Sequence, residues 1–319
     1  MTARKVYIKT IGLSINLQAW LNARAAGQRA MQLFLQPPKP RIRAKEASFL
    51  ESARRNDLDF AGHRIAVYEW GAAEQPLCFL AYGWAYNAGR WRHYVPSLLE
   101  AGYRVLAFDP IGHGNSERGK QDYPTMVRLE QALVERAGGA EVWLGHSFGG
   151  SCSIEAIHGL AEELRPRRIC LMAVFSEARW IFHQFKTTLG LNRQSWWGLK
   201  EAIYRRTGRR LAEFDSARLA AELGSIHCLL VHDPEDATTS FSNSIRNHQY
   251  WPNSALYPAK GGGHHLGTAG ITHSILDFLV HGQYPQGVSF SQGLVDADHE
   301  LRQFFLTLEQ DTLHAGKIK

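Results

Sequence analysis

From residue 62 onward, short runs rich in β-branched and aromatic residues alternate with longer stretches compatible with helix. The runs are "HRIAVYEW", "LCFLAY", "YRVLAFD", "EVWLGH", "RRICLMAVF", "HCLLVHD" and "SALYPA". Such alternation predicts an α/β fold in which a mostly parallel central sheet is flanked by helices on both faces. Within residues 176–225 the interval from one strand to the next stretches to roughly fifty residues of aromatic, cationic, helix-compatible sequence, which reads as a helical lid inserted into the sheet domain. No internal repeat or low-complexity tract interrupts the pattern.

Ahead of the sheet domain the periodicity is helical. Leu13, Leu17, Trp20 and Leu21 recur at intervals of three and four residues, and Ala30, Met31, Phe34 and Leu35 do so again. Arg24, Gly27 and Gln28 would fall on the same face between the two sets, so one long amphipathic helix and two short ones both fit. Pro37, Pro38 and Pro40 end the pattern, because proline lacks the amide donor and restricts the residue before it. "PPKPRIRAK" then reads as an extended connector. The expected division is residues 1–61 as a basic amphipathic arm and connector, 62–282 as the α/β domain, and 283–319 as a helical tail with Leu301, Phe304, Phe305 and Leu308 on one face.

Charge sharpens the picture of the arm. The chain of 319 residues carries a formal +6, yet residues 1–45 hold nine Lys or Arg and no Asp or Glu. The remainder has 27 basic and 30 acidic residues, a net of −3, so the basicity belongs to the arm. The leading expectation for the apolar stripes is docking onto the body or onto a partner helix. Peripheral membrane contact through residues 10–35 and an organellar transit peptide are the other two readings. Basic residues this sparse, with Trp20 and Phe34 on the apolar face, do not point to nucleic acid.

With 45% hydrophobic and 21% charged residues the composition is that of a globular protein, and no uncharged apolar stretch is long enough to span a bilayer. Cys78, Cys152, Cys170 and Cys228 all lie in apolar runs without CxxC or zinc-like spacing, which implies buried thiols in a reducing, cytoplasmic setting.

The chemistry begins at "GHSFGG", residues 145–150. It matches the G-x-S-x-G pattern at the end of the run "EVWLG" and leads into helix-compatible "SCSIEAIHGLAEEL". A serine on a tight strand-to-helix turn is strained, and Gly145 and Gly149 keep small the two positions whose side chains would collide across it. The amides opening the following helix favour negative charge at Ser147. Downstream, "CLLVHDPEDATTSF" places acids after a strand, and "LYPAKGGGHH" places histidines on a glycine-rich loop after the last strand. A phosphate cradle would need a Lys-Ser/Thr that this loop lacks.

These residues, in the order nucleophile, acid, histidine, resemble the α/β-hydrolase family over residues 62–282. The resemblance implies a Ser-His-Asp triad of Ser147, His264 and Asp236, and no cofactor or metal ion. Asp233, Glu235 and Glu177 compete with Asp236 for the acid. The family pattern puts the acid three residues after a turn position just past the strand, which favours Asp236 with Asp233 in the turn. His264 is favoured over His265 because it follows the glycines directly. His146 is expected to pack beside the elbow. "DPIGHGNS" resembles a structural turn of the family that Asp109 would fix, leaving Asp109 and His113 outside the triad.

In the family a strand ending in His-Gly-x delivers one oxyanion-hole amide. Here "FLAYGW" implies Trp84 N–H as that donor and Phe148 N–H as the other, with Gly83 leaving room for the carbonyl. Tyr82 stands where the family has His, and its hydroxyl is a candidate extra donor. Tyr82, Gly83, Trp91, Trp180 and Trp196 are the candidate substrate-binding residues, with Lys and Arg of the lid as a cationic rim.

The resulting expectation is a serine hydrolase of carboxylic esters or thioesters with small to medium apolar groups, acting through an acyl-enzyme. Acyltransferase and C–C hydrolase or lyase chemistry use the same residues, and a catalytically inactive binding protein is the non-enzymatic alternative. Serine in place of a carboxylate nucleophile disfavours epoxide and haloalkane chemistry.

Overall fold

A computed structural model describes residues 3–38, 41–290, 299, 301–304 and 306. In chain order the helices are α1 (Ala3–Leu21), α2 (Ala23–Phe34), α3 (Ala44–Leu50), α4 (Val95–Glu100), α5 (Tyr123–Ala137), α6 (Ser147–Gly159), α7 (Arg179–Leu189), α8 (Arg193–Thr207), α9 (Ser216–Ala220), α10 (Ser242–Tyr250) and α11 (Ala269–His281). The strands are β1 (Arg54–Arg55), β2 (Leu58–Phe60), β3 (His63–Ile65), β4 (Val67–Trp70), β5 (Leu77–Ala81), β6 (Arg104–Phe108), β7 (Val142–His146), β8 (Arg168–Met172), β9 (His227–His232) and β10 (Ser254–Pro258). They form two compact units: a helical one from Met1–Gln36, Glu177–Asp215 and Asp296–Lys319, and an α/β one from Pro37–Ser176 and Ser216–Val295.

In the α/β unit eight strands form one sheet in the order β1-β4-β6-β5-β7-β8-β9-β10. Strands β5 to β10 are parallel, β4 runs antiparallel to β6, and β1 antiparallel to β4. β5 and β7 are buried at every residue, which is why they read as unbroken apolar runs. The chain leaves β5 to form β6 on one side and returns to form β7 on the other. The carboxyl ends of β5 and β7 therefore flank the point where strand order reverses, where open α/β sheets leave a crevice.

Two local expectations are corrected. "HRIAVYEW" is not one strand: His63–Ile65 pairs with β2 in a separate hairpin, and the main sheet takes up only Val67–Trp70. Ala61 and Gly62, both at positive φ, make the two-residue hairpin turn. At the break, the Ala66 amide donates to Ser116 Oγ instead of a strand partner. The connector after the prolines is also shorter than expected, because α3 already starts at Ala44, where the Glu46 carboxylate reaches back to accept from the Arg43 amide at 2.9 Å.

The helical unit resolves the arm into two helices. The Asn22 side chain accepts from the Ala25 amide at 3.0 Å and caps α2. α2 and α8 cross at Gly27 and Gly198, where a Cβ on Gly198 would lie 1.9 Å from the Ala23 carbonyl oxygen. The second apolar set packs as expected, with Leu35 buried and Phe34 stacked on Phe182 at 4.1 Å between ring centroids.

The first set does the reverse of what its periodicity suggests. α1 packs through Gly12, Ile15, Asn16 and Ala19, and exposes Leu13, Leu17, Trp20 and Leu21. Two contacts fix this rotation. Gly12 lets α1 approach the Leu189 backbone so closely that a Cβ would sit 1.8 Å from its oxygen. Asn16 donates to the Gly190 carbonyl (2.8 Å) and accepts from the Asn192 amide (2.9 Å) and Ser195 Oγ (2.8 Å). Polar bonds to backbone at a helix end set the face, not apolar area. Of the tail's expected face, Leu301 is buried and Phe304 stacks on Trp180 (4.6 Å), while Phe305 and Leu308 lie outside the described residues.

The glycine crossing gives a stability test. Gly198→Val is expected to lower stability by about 1–3 kcal/mol through overpacking against backbone, read as a lower thermal midpoint. Gly270→Ala in α11, where a Cβ meets nothing within 4 Å, is expected to be neutral or to stabilise by about 0.5–1 kcal/mol.

Candidate active site

The loop after β7 turns at once into α6, and Ser147 takes φ of 52°, a left-handed conformation that a residue bearing Cβ rarely adopts. The glycines around it are required by particular neighbours. A Cβ on Gly145 would lie 2.5 Å from Gly150 Cα, and one on Gly149 would lie 2.3 Å from the Tyr82 carbonyl oxygen. The second constraint corrects the picture of Gly145 and Gly149 meeting across the turn, since Gly149 is small to let the end of β5 pass. Gly83, next along that loop, lies against the serine, where a Cβ would come 2.8 Å from Ser147 Cβ.

His264 reaches Ser147 from the loop after β10. Its Nε2 lies 3.0 Å from Ser147 Oγ and its Nδ1 lies 2.8 Å from Asp236 Oδ2. With Nδ1–H donating to the carboxylate, Nε2 is the acceptor for the serine hydroxyl; the partners assign this tautomer. Asp236 sits after β9, its amide bonded to the Asp233 carbonyl in a turn. Asp236 Oδ1 accepts from the amides of Thr238 (2.7 Å) and Thr239 (3.1 Å), and Oδ2 also lies 3.2 Å from His232 Nε2. Burial works to raise the Asp236 carboxyl, but the bonds from His232, His264 and Thr238 outweigh it and hold the group well below the usual carboxylate range.

The competing acids have other partners. Asp233 accepts from the Gly263 amide at 2.6 Å and so ties down the histidine loop. Glu235 is exposed. Glu177 belongs to the helical unit, where it pairs with Arg179. His265 lies on the exposed side of its loop, its carbonyl accepting from Arg90 Nη2 at 2.7 Å.

Three residues beyond the expected set position this loop. His146 Nε2 donates to the His264 carbonyl at 2.8 Å. His232 places Nδ1 2.6 Å from Ser244 Oγ, which leaves Nε2–H for the Thr239 carbonyl and Asp236. Arg90 clamps the far side. No motif identifies His232 or Arg90, because neither has a fixed spacing from the serine.

Asp109 organises the opposite wall. Its Oδ1 accepts from Tyr82 Oη (2.9 Å) and the Ala88 amide (2.8 Å), and its Oδ2 from Tyr68 Oη (3.1 Å) and the Asn115 amide (2.8 Å). Burial raises the Asp109 carboxyl, and these four donors pull it back. Asp109 thus fixes both its own turn and the loop that follows β5.

That arrangement corrects two expected substrate contacts. Tyr82 is wholly buried and its hydroxyl donates to Asp109 Oδ1. Trp91 is likewise wholly buried, packed edge-on against Tyr94 in the core beneath the sheet. Trp180 and Trp196 are buried in the helical unit, Trp180 against Phe304 and Trp196 beside His183, Lys186 and Lys200. Trp84 and Phe148 do lie together, their rings 5.5 Å apart, and Tyr123 and Phe175 extend this aromatic wall. Among the described residues no group of three or more His, Cys, Asp or Glu has the arrangement to hold a metal ion.

The sequence profile of the Alpha/beta hydrolase family matches residues 78–269, more than half of the chain. The protein belongs to that family. Among curated relatives, epoxide hydrolase A of Mycobacterium tuberculosis is 40% identical over 97 residues, 29% of this chain and 30% of that protein. The bifunctional esterase/perhydrolase DCH of Acinetobacter calcoaceticus is 35% identical over 93 residues, 28% of this chain and 33% of that protein. The chain thus spans about a third of the length of these curated relatives. Among solved structures, an esterase from Exiguobacterium antarcticum superposes with a TM-score of 0.55 at 17% identity, over 71% of this chain and 99% of that one. The thioesterase domain from the curacin biosynthetic pathway gives 0.54 at 14%, over 72% and 99%. At these identities the likeness is one of fold.

Two outcomes follow from the geometry. Tyr82→Phe is expected to cost about 1.5–3 kcal/mol of stability, the range for a hydrogen bond to a charged group, with turnover nearly unchanged. A large fall in turnover without loss of stability would contradict the assignment of the hydroxyl to Asp109. For Asp236, a native value depressed below the ordinary 3.8 contributes stability above that pH and loses it as pH falls through the native value. The difference in urea unfolding free energy between wild type and Asp236→Asn is therefore expected to hold from neutral pH down to about 4 and to narrow only below it.

Proposed function

We propose that the protein is a serine hydrolase that cleaves carboxylic esters or thioesters of small to medium apolar substrates. The observation that carries this reading is the unbroken hydrogen-bonded chain from Asp236 through His264 to Ser147, with the serine held at φ 52° on the turn between β7 and α6. In this mechanism Ser147 Oγ attacks the carbonyl carbon while His264 Nε2 takes its proton, and the imidazolium is steadied by the Asp236 carboxylate. The same proton passes to the leaving alcohol or thiol, and water then repeats the sequence on the acyl-enzyme.

The tetrahedral oxyanion is held by the amides of Trp84 and Phe148. Phe148 is the second residue of α6, and a first-turn amide has no acceptor within its helix. Trp84 follows Gly83, whose missing side chain leaves the approach to Ser147 open. Each such donor is worth roughly 10²–10³ in turnover. Apolar substrates are favoured because Trp84, Phe148, Tyr123 and Phe175 form an aromatic wall next to the nucleophile. Epoxide opening by a covalent enzyme ester requires a carboxylate where this chain has Ser147.

Steady-state assays on p-nitrophenyl esters and acyl-thioesters of graded chain length test the proposal. Hydrolysis is expected for medium apolar acyl groups, and Ser147→Ala is expected to lower turnover on the order of 10⁴- to 10⁶-fold. Wild-type rates in that variant would sink the mechanism. No hydrolysis of any member would favour a binding protein.

A further inference from the structure

The outward face of α1 has no use in the chemistry, and its composition is unusual. Leu13 is 59% exposed, Leu17 61%, Trp20 72% and Leu21 92%. Val6 and Tyr7 continue the same stripe toward the amino end. The stripe follows a helix of about 28 Å at 1.5 Å per residue. It cannot turn inward, because Gly12 and Asn16 hold the opposite face on the backbone of residues 189–192.

We propose that this face of α1 binds the surface of a bilayer bearing anionic lipids, with the helix lying in the plane of the interface. Six large apolar side chains on one face of a helix provide the area that enters the acyl boundary. Tyr7 and Trp20 carry polar tips on apolar rings, the chemistry enriched at the headgroup level. Charge selects the partner. Residues 1–45 contain nine cations and no acid, and Lys9, Arg24 and Arg29 are exposed. Near an anionic leaflet each such cation adds to the attraction, which falls off within a Debye length. Two copies meeting through this face would instead bring two acid-free cationic segments together, which opposes self-association. Among the described residues no helix is long and apolar enough to cross a membrane, so contact is with the surface only.

Flotation of the full chain with vesicles of phosphatidylcholine alone and of phosphatidylcholine mixed with phosphatidylglycerol tests the proposal. Binding is expected on the anionic vesicles, weakening as salt is raised. The double variant Leu17→Glu/Trp20→Glu is expected to lower partitioning by at least about tenfold, with unchanged circular dichroism. In a second measurement, brominated acyl chains are expected to quench a component of tryptophan emission that is missing in Trp20→Leu, a variant that retains binding. The proposal is overturned by absence of flotation on anionic vesicles or by equal binding to neutral ones. A dimer that Leu17→Glu dissolves, without lipid binding, overturns it as well.

Discussion

The arrangement depends on one backbone constraint: Ser147 must hold a left-handed conformation between β7 and α6. A non-glycine residue there costs on the order of 1–3 kcal/mol, and it persists because the surroundings leave the chain no alternative. Gly145 and Gly150 touch across the turn, and Gly149 lies under the Tyr82 carbonyl. The sheet supplies the remaining rigidity, since β7 is hydrogen-bonded on both sides, to β5 and to β8. With the serine so fixed, its hydroxyl meets His264 Nε2 at 3.0 Å beyond the carboxyl end of β7, and other elements need only be brought to it.

Two buried carboxylates bring them. Asp236 collects two amides and two imidazoles, and Asp109 collects two phenols and two amides. An ionised group in a dry interior is strongly unfavourable alone, so each is retained by donors that offset its desolvation. Some of these donors come from segments far apart in sequence, Tyr68, Tyr82 and Ala88 for Asp109 and His264 for Asp236, and satisfying the carboxylate therefore fixes those loops. Asp109 joins β4, the loop after β5 and the turn after β6. Asp236 joins the ends of β9 and β10, where Asp233, His146 and Arg90 add further ties to the histidine loop.

What was legible in the sequence follows from this physics. Ser147 and His264 stand out because backbone geometry forces glycine at fixed distances from them, which is a local property, whereas Asp236 is singled out only by the family pattern of an acid three residues after a turn just past a strand. The sheet was legible because strands buried on both faces are continuous apolar runs. Tyr82 reads as a substrate contact because the direction of a side chain at a strand end depends on a distant partner, here Asp109, and Trp91, on the helical turn Ala88–His93, does so because its packing against Tyr94 in the core leaves no local signal. His232 and Arg90 act through bonds that no spacing records. The α1 stripe was misjudged for the opposite reason: its periodicity was real, but the helix is oriented by Gly12 and Asn16, whose polar and close contacts outrank apolar area.

The central claim is that Ser147 is a nucleophile activated by His264, and covalent trapping tests it most directly. After treatment with a fluorophosphonate, peptide mass mapping is expected to find a single phosphonyl adduct on Ser147, at a rate strongly reduced in His264→Ala. An adduct on another residue, or no adduct on the folded wild-type protein, would contradict the account.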